Sequence, residues 1–157
     1  MALADEALRT AVWEVLTTIQ DPELPVTVTD LGIIEAVGVH DGCVRVEMIP
    51  TFTGCPALEV MRREIDARLR ALPGVREVTV QVSYARPWTV DRISQVGRLR
   101  LRRHGVGLAH PPEPVHCPVC GSTNTIPESP FGPTPCRALA YCPDCRNPLE
   151  YVRGPAD

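Results

Sequence analysis

Two short cysteine knuckles constrain this chain more than any other feature. Cys117-Pro118-Val119-Cys120 and Cys142-Pro143-Asp144-Cys145 are both C-P-x-C steps. Each can set two thiolates on one ion from a tight turn, and Gly121 relaxes the backbone after the first. Four thiolates suit a tetrahedral centre, which zinc accepts with no directional preference of its own. The segment around them has few apolar residues to bury, so metal binding must contribute much of its folding energy. The expectation is a four-cysteine zinc-ribbon-like module. Iron or an iron–sulfur cluster is the alternative occupant, because the same soft ligands serve it. Cys136 is left over from this set. It reads first as a small residue near the ribbon core, and second as a spare ligand that lets a metal centre be exchanged or rebuilt. His116 abuts Cys117 but reads as a surface residue, not a fifth ligand.

The chain has 157 residues, seven of them cysteines, with 22% charged and 44% hydrophobic side chains and a formal net charge of −3. That balance fits a globular core and argues against broad electrostatic binding to nucleic acid or membrane. Aromatic residues are only 4%, which also counts against a nucleic-acid-binding ribbon. The opening MALADEALRTAV has acidic residues and no basic region leading an apolar run, so it does not read as a secretory signal. No apolar run approaches the roughly 20 residues of a membrane span. A cytoplasmic setting follows, where thiols stay reduced and cysteines serve metal or thiol chemistry.

Ahead of the knuckles, the pattern predicts a two-layer α/β (α+β) domain in the order α-β-β-α-β-α. Leu8, Ala11, Val12, Val15, Leu16 and Ile19 make a helical stripe that Asp21-Pro22 should end. Two strands flank Asp41-Gly42, a two-residue hairpin signal. In that register Val37 opposes Val46 and Val39 opposes Val44, while His40, Cys43, Arg45 and Glu47 share the other face. Cys43 there reads as a small filler residue. A second helix should run from Pro56 to about Leu72, buried through Leu58, Met61, Ile65, Leu69 and Leu72. Val78, Val80 and Val82 mark a third strand, and Thr89 to Arg103 an arginine-rich third helix whose charge reads as a solvated face. The expected organisation is a domain over 1–106, a proline-rich linker over 107–116, and the cysteine module over 117–157.

Topology gives one thiol in the first domain a special position. Cys55 lies between Gly54 and Pro56, and Pro56 suits the first position of the second helix. Free N–H groups and the helix dipole at that end favour a thiolate, which metal ligation, redox chemistry and nucleophilic attack all require. A crossover to a parallel third strand would collect Asp21, Glu23, Asp30, Thr51, Thr53, Cys55, Tyr84, Arg86 and Trp88 at one rim. The bland alternative is a buried cysteine acting as a small hydrophobe.

The stretches DPELPVTVTDLGII, TFTGCPA and ARPWTVDRIS resemble the iron–sulfur assembly-factor domain shared by the SufT-like and PaaD proteins. CPVCGS and SPFGPTPCRALAYCPDCRNPLEY are similar to the cysteine tail that follows that domain in the PaaD family. The resemblance implies that Cys55 is the reactive cysteine. It maps the acidic motif onto Asp21, Pro22 and Glu23, with Asp30 closing the loop. It implies an accessory, non-catalytic maturation protein of a multicomponent phenylacetyl-CoA epoxidase in aerobic phenylacetate degradation, assisting assembly or insertion of iron or an iron–sulfur cluster. Its partners would be epoxidase components or iron–sulfur assembly proteins.

One thiol cannot hold a cluster alone. A carrier built on Cys55 needs a second copy of the chain (a homo-oligomer), carboxylates from Asp21 or Glu23 with Thr53 nearby, or a transient external thiol. The competing function is a thiol-dependent redox or transfer enzyme with Cys55 as nucleophile. No neighbouring cysteine, placed histidine or nucleotide motif supports it in the sequence.

Overall fold

The structure is a computed structural model and describes residues 2–154. Helix α1 spans Ala2–Leu16, strand β1 Ile34–His40, β2 Cys43–Met48, α2 Pro56–Arg70, β3 Glu77–Val82 and α3 Gln95–Arg103. The sheet order is β1-β2-β3, with β1 and β2 antiparallel and β2 and β3 parallel. Val37 faces Val46 and Val39 faces Val44, as the alternation requires. Asp41 and Gly42 both take positive φ, 47° and 73°, which matches the twist of a tight hairpin. A Cβ on Gly42 would also stand 2.8 Å from the Gly74 carbonyl oxygen. Val44, Val46 and Met48 face a core completed by Leu58, Met61, Ile65 and Leu69 of α2. The wet side of α2 carries Glu59–Arg63, Glu64–Arg68 and Asp66–Arg70 pairs.

Two helix boundaries differ from the sequence expectation. Helix α1 stops at Leu16, not at Asp21. The hydroxyls of Thr17 and Thr18 donate to the Glu14 and Val15 carbonyls, and Gln20 bridges Thr27, so the chain turns into a closed loop. Ile19 is buried all the same. The third helix starts at Gln95, after a 3₁₀ turn at Val90–Arg92. The Ser94 hydroxyl caps it by accepting the Gly97 N–H at 3.0 Å.

The second sheet has the order β4-β7-β6-β5, with β4 at Val106–Leu108, β5 at Ile126–Ser129, β6 at Arg137–Cys142 and β7 at Asn147–Val152. Strand β4 runs parallel to β7 and begins just past α3. The expected linker over 107–116 therefore opens inside the ribbon's own sheet, and its Ala109 and Val115 belong to the ribbon core. The ribbon docks on the first domain, because Val106, Cys136 and Val152 are buried in the same apolar cluster as Ile65 and Trp88.

Candidate functional site

At the end of the ribbon near Arg102 of α3 the four knuckle thiols converge, all within 4.8 Å of one another. Cys117 and Cys145 sulfurs lie 3.7 Å apart, and those of Cys120 and Cys142 3.6 Å apart. Ligands about 2.3 Å from a tetrahedral centre stand about 3.8 Å apart, so this donor set fits a metal without rearrangement. The thiols do not ionise independently. The Ser122 backbone favours the Cys120 thiolate, but burial and the neighbouring Cys142, Cys145 and Cys117 together push Cys120 up to about 12. Cys145 falls to about 6, chiefly through the Asn147 side chain. A cation among them removes this conflict. Asp144 braces the knuckles by accepting from Ser122 Oγ at 2.5 Å and Asn124 Nδ2 at 2.8 Å.

The second candidate site lies where the ribbon meets the first domain. Cys55 is the N-cap of α2, with Pro56 in the first turn. It is 9% exposed. Burial pushes its thiol above the ordinary value; the Ala57 and Leu58 backbone N–H groups oppose this, while Glu23 and Asp21 add to it. The expected thiolate is thus corrected: desolvation and two carboxylates outweigh the helix end, and the resting group is a neutral thiol. Gly54, at φ 82°, leaves one side open, since a Cβ there would meet nothing within 4 Å.

Asp21 is fixed by its loop. Its Oδ1 accepts the N–H groups of Glu23 at 2.7 Å and Leu24 at 2.8 Å. Burial nevertheless raises its carboxyl above the usual range, against those N–H groups and the Arg137 guanidinium. Glu23 is also raised, by burial and then by Asp21, while Arg137 opposes. Arg137 reaches across from β6: one of its nitrogens donates to the Glu23 carbonyl and another to Glu150 Oε2 at 2.6 Å.

These contacts divide the expected rim. Asp21, Glu23 and Cys55 come together. Asp30 instead accepts the Ser94 hydroxyl at 2.7 Å and serves the start of α3. Trp88 is buried and donates to the Leu31 carbonyl at 2.9 Å, a packing role. Thr51, Thr53, Tyr84 and Arg86 line, with Phe52 and an edge of Trp88, a surface recess of about 390 Å³.

Comparison with known proteins matches this architecture unit by unit. The family model described as iron-sulfur cluster assembly protein covers residues 9–82, and the PaaD zinc beta ribbon domain covers residues 102–153. A protein of Escherichia coli described as a putative 1,2-phenylacetyl-CoA epoxidase component is 37% identical over 90% of both chains. The chain belongs to the PaaD family. The Fe-S protein maturation auxiliary factor YitW of Bacillus subtilis is 32% identical over 62% of this chain and 96% of its own. A crystal structure of a DUF59 domain of unknown function from Bacillus anthracis superposes with a TM-score of 0.54 at 25% identity, covering 64% of this chain and 97% of that one.

The part that PaaD members add to the assembly-factor domain also contributes to the junction, and sequence reasoning missed this. Cys136, 3% exposed, is buried in the first domain's cluster and not in the ribbon's. Arg153 donates its N–H to the Cys136 carbonyl at 3.1 Å, and its guanidinium lies 4.9 Å from the Phe52 ring centre. The sequence left Cys136 over from the four-ligand set but placed it near the ribbon core; the structure corrects this, because the end of β6 that carries it packs on the first domain.

Proposed function

We propose that this PaaD-family protein is an accessory maturation factor for a multicomponent phenylacetyl-CoA epoxidase. It assists assembly or insertion of iron or an iron–sulfur unit, with Cys55, Asp21 and Glu23 as the cargo-binding groups. The observation that carries this reading is the match to the epoxidase component across both domains, together with a buried thiol set beside two carboxylates.

The chemistry follows from the protonation states. A neutral thiol is a poor ligand, so it does not hold metal by default. An arriving cation displaces the Cys55 proton to solvent, and the carboxylates of Asp21 and Glu23 beside it offer oxygen ligands to the same ion. Binding and release are then coupled to proton movement, which suits a carrier. The same raised thiol weighs against Cys55 as a nucleophile near neutral pH. At the other end, Cys117, Cys120, Cys142 and Cys145 hold zinc as a structural ion. The setting is the cytoplasm, and the partners are epoxidase components or iron–sulfur assembly proteins. Among the described residues no helix is long and apolar enough to cross a membrane.

Deleting the protein from an epoxidase-producing cell tests this. Epoxidase components purified from that cell should lose iron or cluster content and recover it on complementation. Unchanged metal content, with no co-purification or cross-linking between the protein and those components, contradicts the reading.

A further inference from the structure

Cys136 sits at the opposite end of β6 from Cys142, one of the knuckle ligands. Six residues of extended strand span about 20 Å, so Cys136 cannot serve the knuckle centre. Its sulfur is buried instead in the cluster that contains Cys55. The residues around it are tied to the two loops of the cargo site. Arg137 donates to the carbonyl of Glu23, and Arg153 holds the Cys136 carbonyl while lying over Phe52. The Phe52 carbonyl in turn accepts the Cys55 N–H at 3.2 Å. The ribbon thus carries a second buried thiol to the loops that hold the first.

We infer that Cys136 and Cys55 together form a two-thiolate site, spanning the two domains, for a thiophilic divalent cation such as ferrous iron or for an iron–sulfur unit. This rests on the cargo-binding role of Cys55 proposed above, and it answers how one thiol gains a partner without a second chain. Arg137, whose charge acts on Asp21 and Glu23 at the same junction, adds a second observation. Its Nε is buried and has no hydrogen-bond partner among the described residues. A buried unpaired guanidinium N–H is costly, and a metal-bound thiolate or sulfide is an acceptor of the right charge. Charge coupling agrees with the placement. The Cys136 thiol is pushed up by burial first, against the Thr134 hydroxyl, and then by Asp21, Cys55 and Glu23. These four groups therefore feel one another's charge. Binding a divalent ion forms two sulfur–metal bonds and releases two thiol protons, with no electron transferred.

If Cys136 were only packing, it would be one more small buried residue of the first domain's cluster, and alanine should replace it freely. The test uses the full-length, zinc-loaded protein under anaerobic conditions, titrated with Co(II) as the probe. Zinc retention is measured throughout, so that cobalt in the knuckles is recognised. The wild type should bind one further Co(II) with a sulfur-to-cobalt charge-transfer band. C136A and the near-isosteric C136S should each lower that band by about half and weaken binding more than about tenfold. C55S should do the same, and the double variant should show no band. A C136A or C136S protein with the wild-type band and affinity, beside a C55S protein without them, overturns the two-thiol site and leaves the single-thiol reading standing. No additional cobalt band in the wild type overturns both.

Discussion

The first domain buries a continuous apolar cluster that runs from Val12 through Val46, Ile65 and Trp88 to Leu101. The ribbon's own cluster is Ala109, Val115, Ala140 and Leu149 with two of the knuckle cysteines, Cys117 and Cys142. The first is large enough to fold on hydrophobic burial. The second is too small, and part of what it buries is the metal site itself. The comparison teaches where each unit's stability comes from and why the proposed cargo site lies between them. The durable unit supplies Cys55, Asp21 and Glu23. The metal-dependent unit supplies Arg137, Arg153 and Cys136, whose placement depends on the ribbon staying closed.

Breaking the knuckles should have the largest effect. Apparent binding energies of structural zinc run to about 10–16 kcal/mol, far more than this ribbon's apolar core offers. Chelation, or Cys142→Ser, should remove amide-exchange protection from β5, β6 and β7. The first domain should remain folded but melt earlier, because Val106, Cys136 and Val152 leave its cluster. Protection of the ribbon strands surviving metal removal would erase the contrast between the units.

A cavity in the large core comes next. Ile65 is fully buried, so Ile65→Ala should cost about 2–5 kcal/mol in denaturant unfolding. Zinc content should stay unchanged while the domain remains folded, since none of the knuckle cysteines belongs to the apolar cluster that holds Ile65. Loss of zinc in that variant would show the two units to be less separable than their cores suggest.

The smallest effect is expected at the junction. Asp21 has a raised folded-state carboxyl, so the folded protein holds that proton more tightly than the unfolded chain. Its contribution to stability therefore declines as pH rises from the ordinary carboxylate value through the raised one. Asp21→Asn keeps an oxygen for the Glu23 and Leu24 N–H groups and removes the titration. The variant should stay within about 1 kcal/mol of the wild type and gain on it as pH rises, measured by melts from acid to neutral pH. It should nonetheless support the epoxidase less well. A variant that loses ground as pH rises would contradict the burial argument.

Sequence alone reached the local features. The Asp41-Gly42 turn and valine alternation set the hairpin register, and Pro56 with the Leu58, Met61, Ile65 stripe set α2, because those signals lie within a few residues of what they determine. The C-x-x-C spacing likewise brought four thiols to one point. Features decided by distant chain were not legible. Ser94, tied to Asp30 across 64 residues, moved the start of α3, whereas the threonine hydroxyls that shortened α1 were a local signal left unread. The dipole at Cys55 argued for a thiolate, but burial and two carboxylates reversed the sign. Cys136 and Arg137 could not be placed, because nothing local reveals which end of a ribbon strand meets another domain.

The central claim is that Cys55 is a functional thiol and not a packing residue. Cys55→Ser is nearly isosteric, so its effects on fold and function can be measured on one variant. The decisive measurement is epoxidase activity in cells lacking the native protein and complemented with Cys55→Ser, alongside the melting temperature of the same purified variant. The account predicts a near-normal melt and loss of epoxidase support. A protein that melts normally and restores full activity would contradict it.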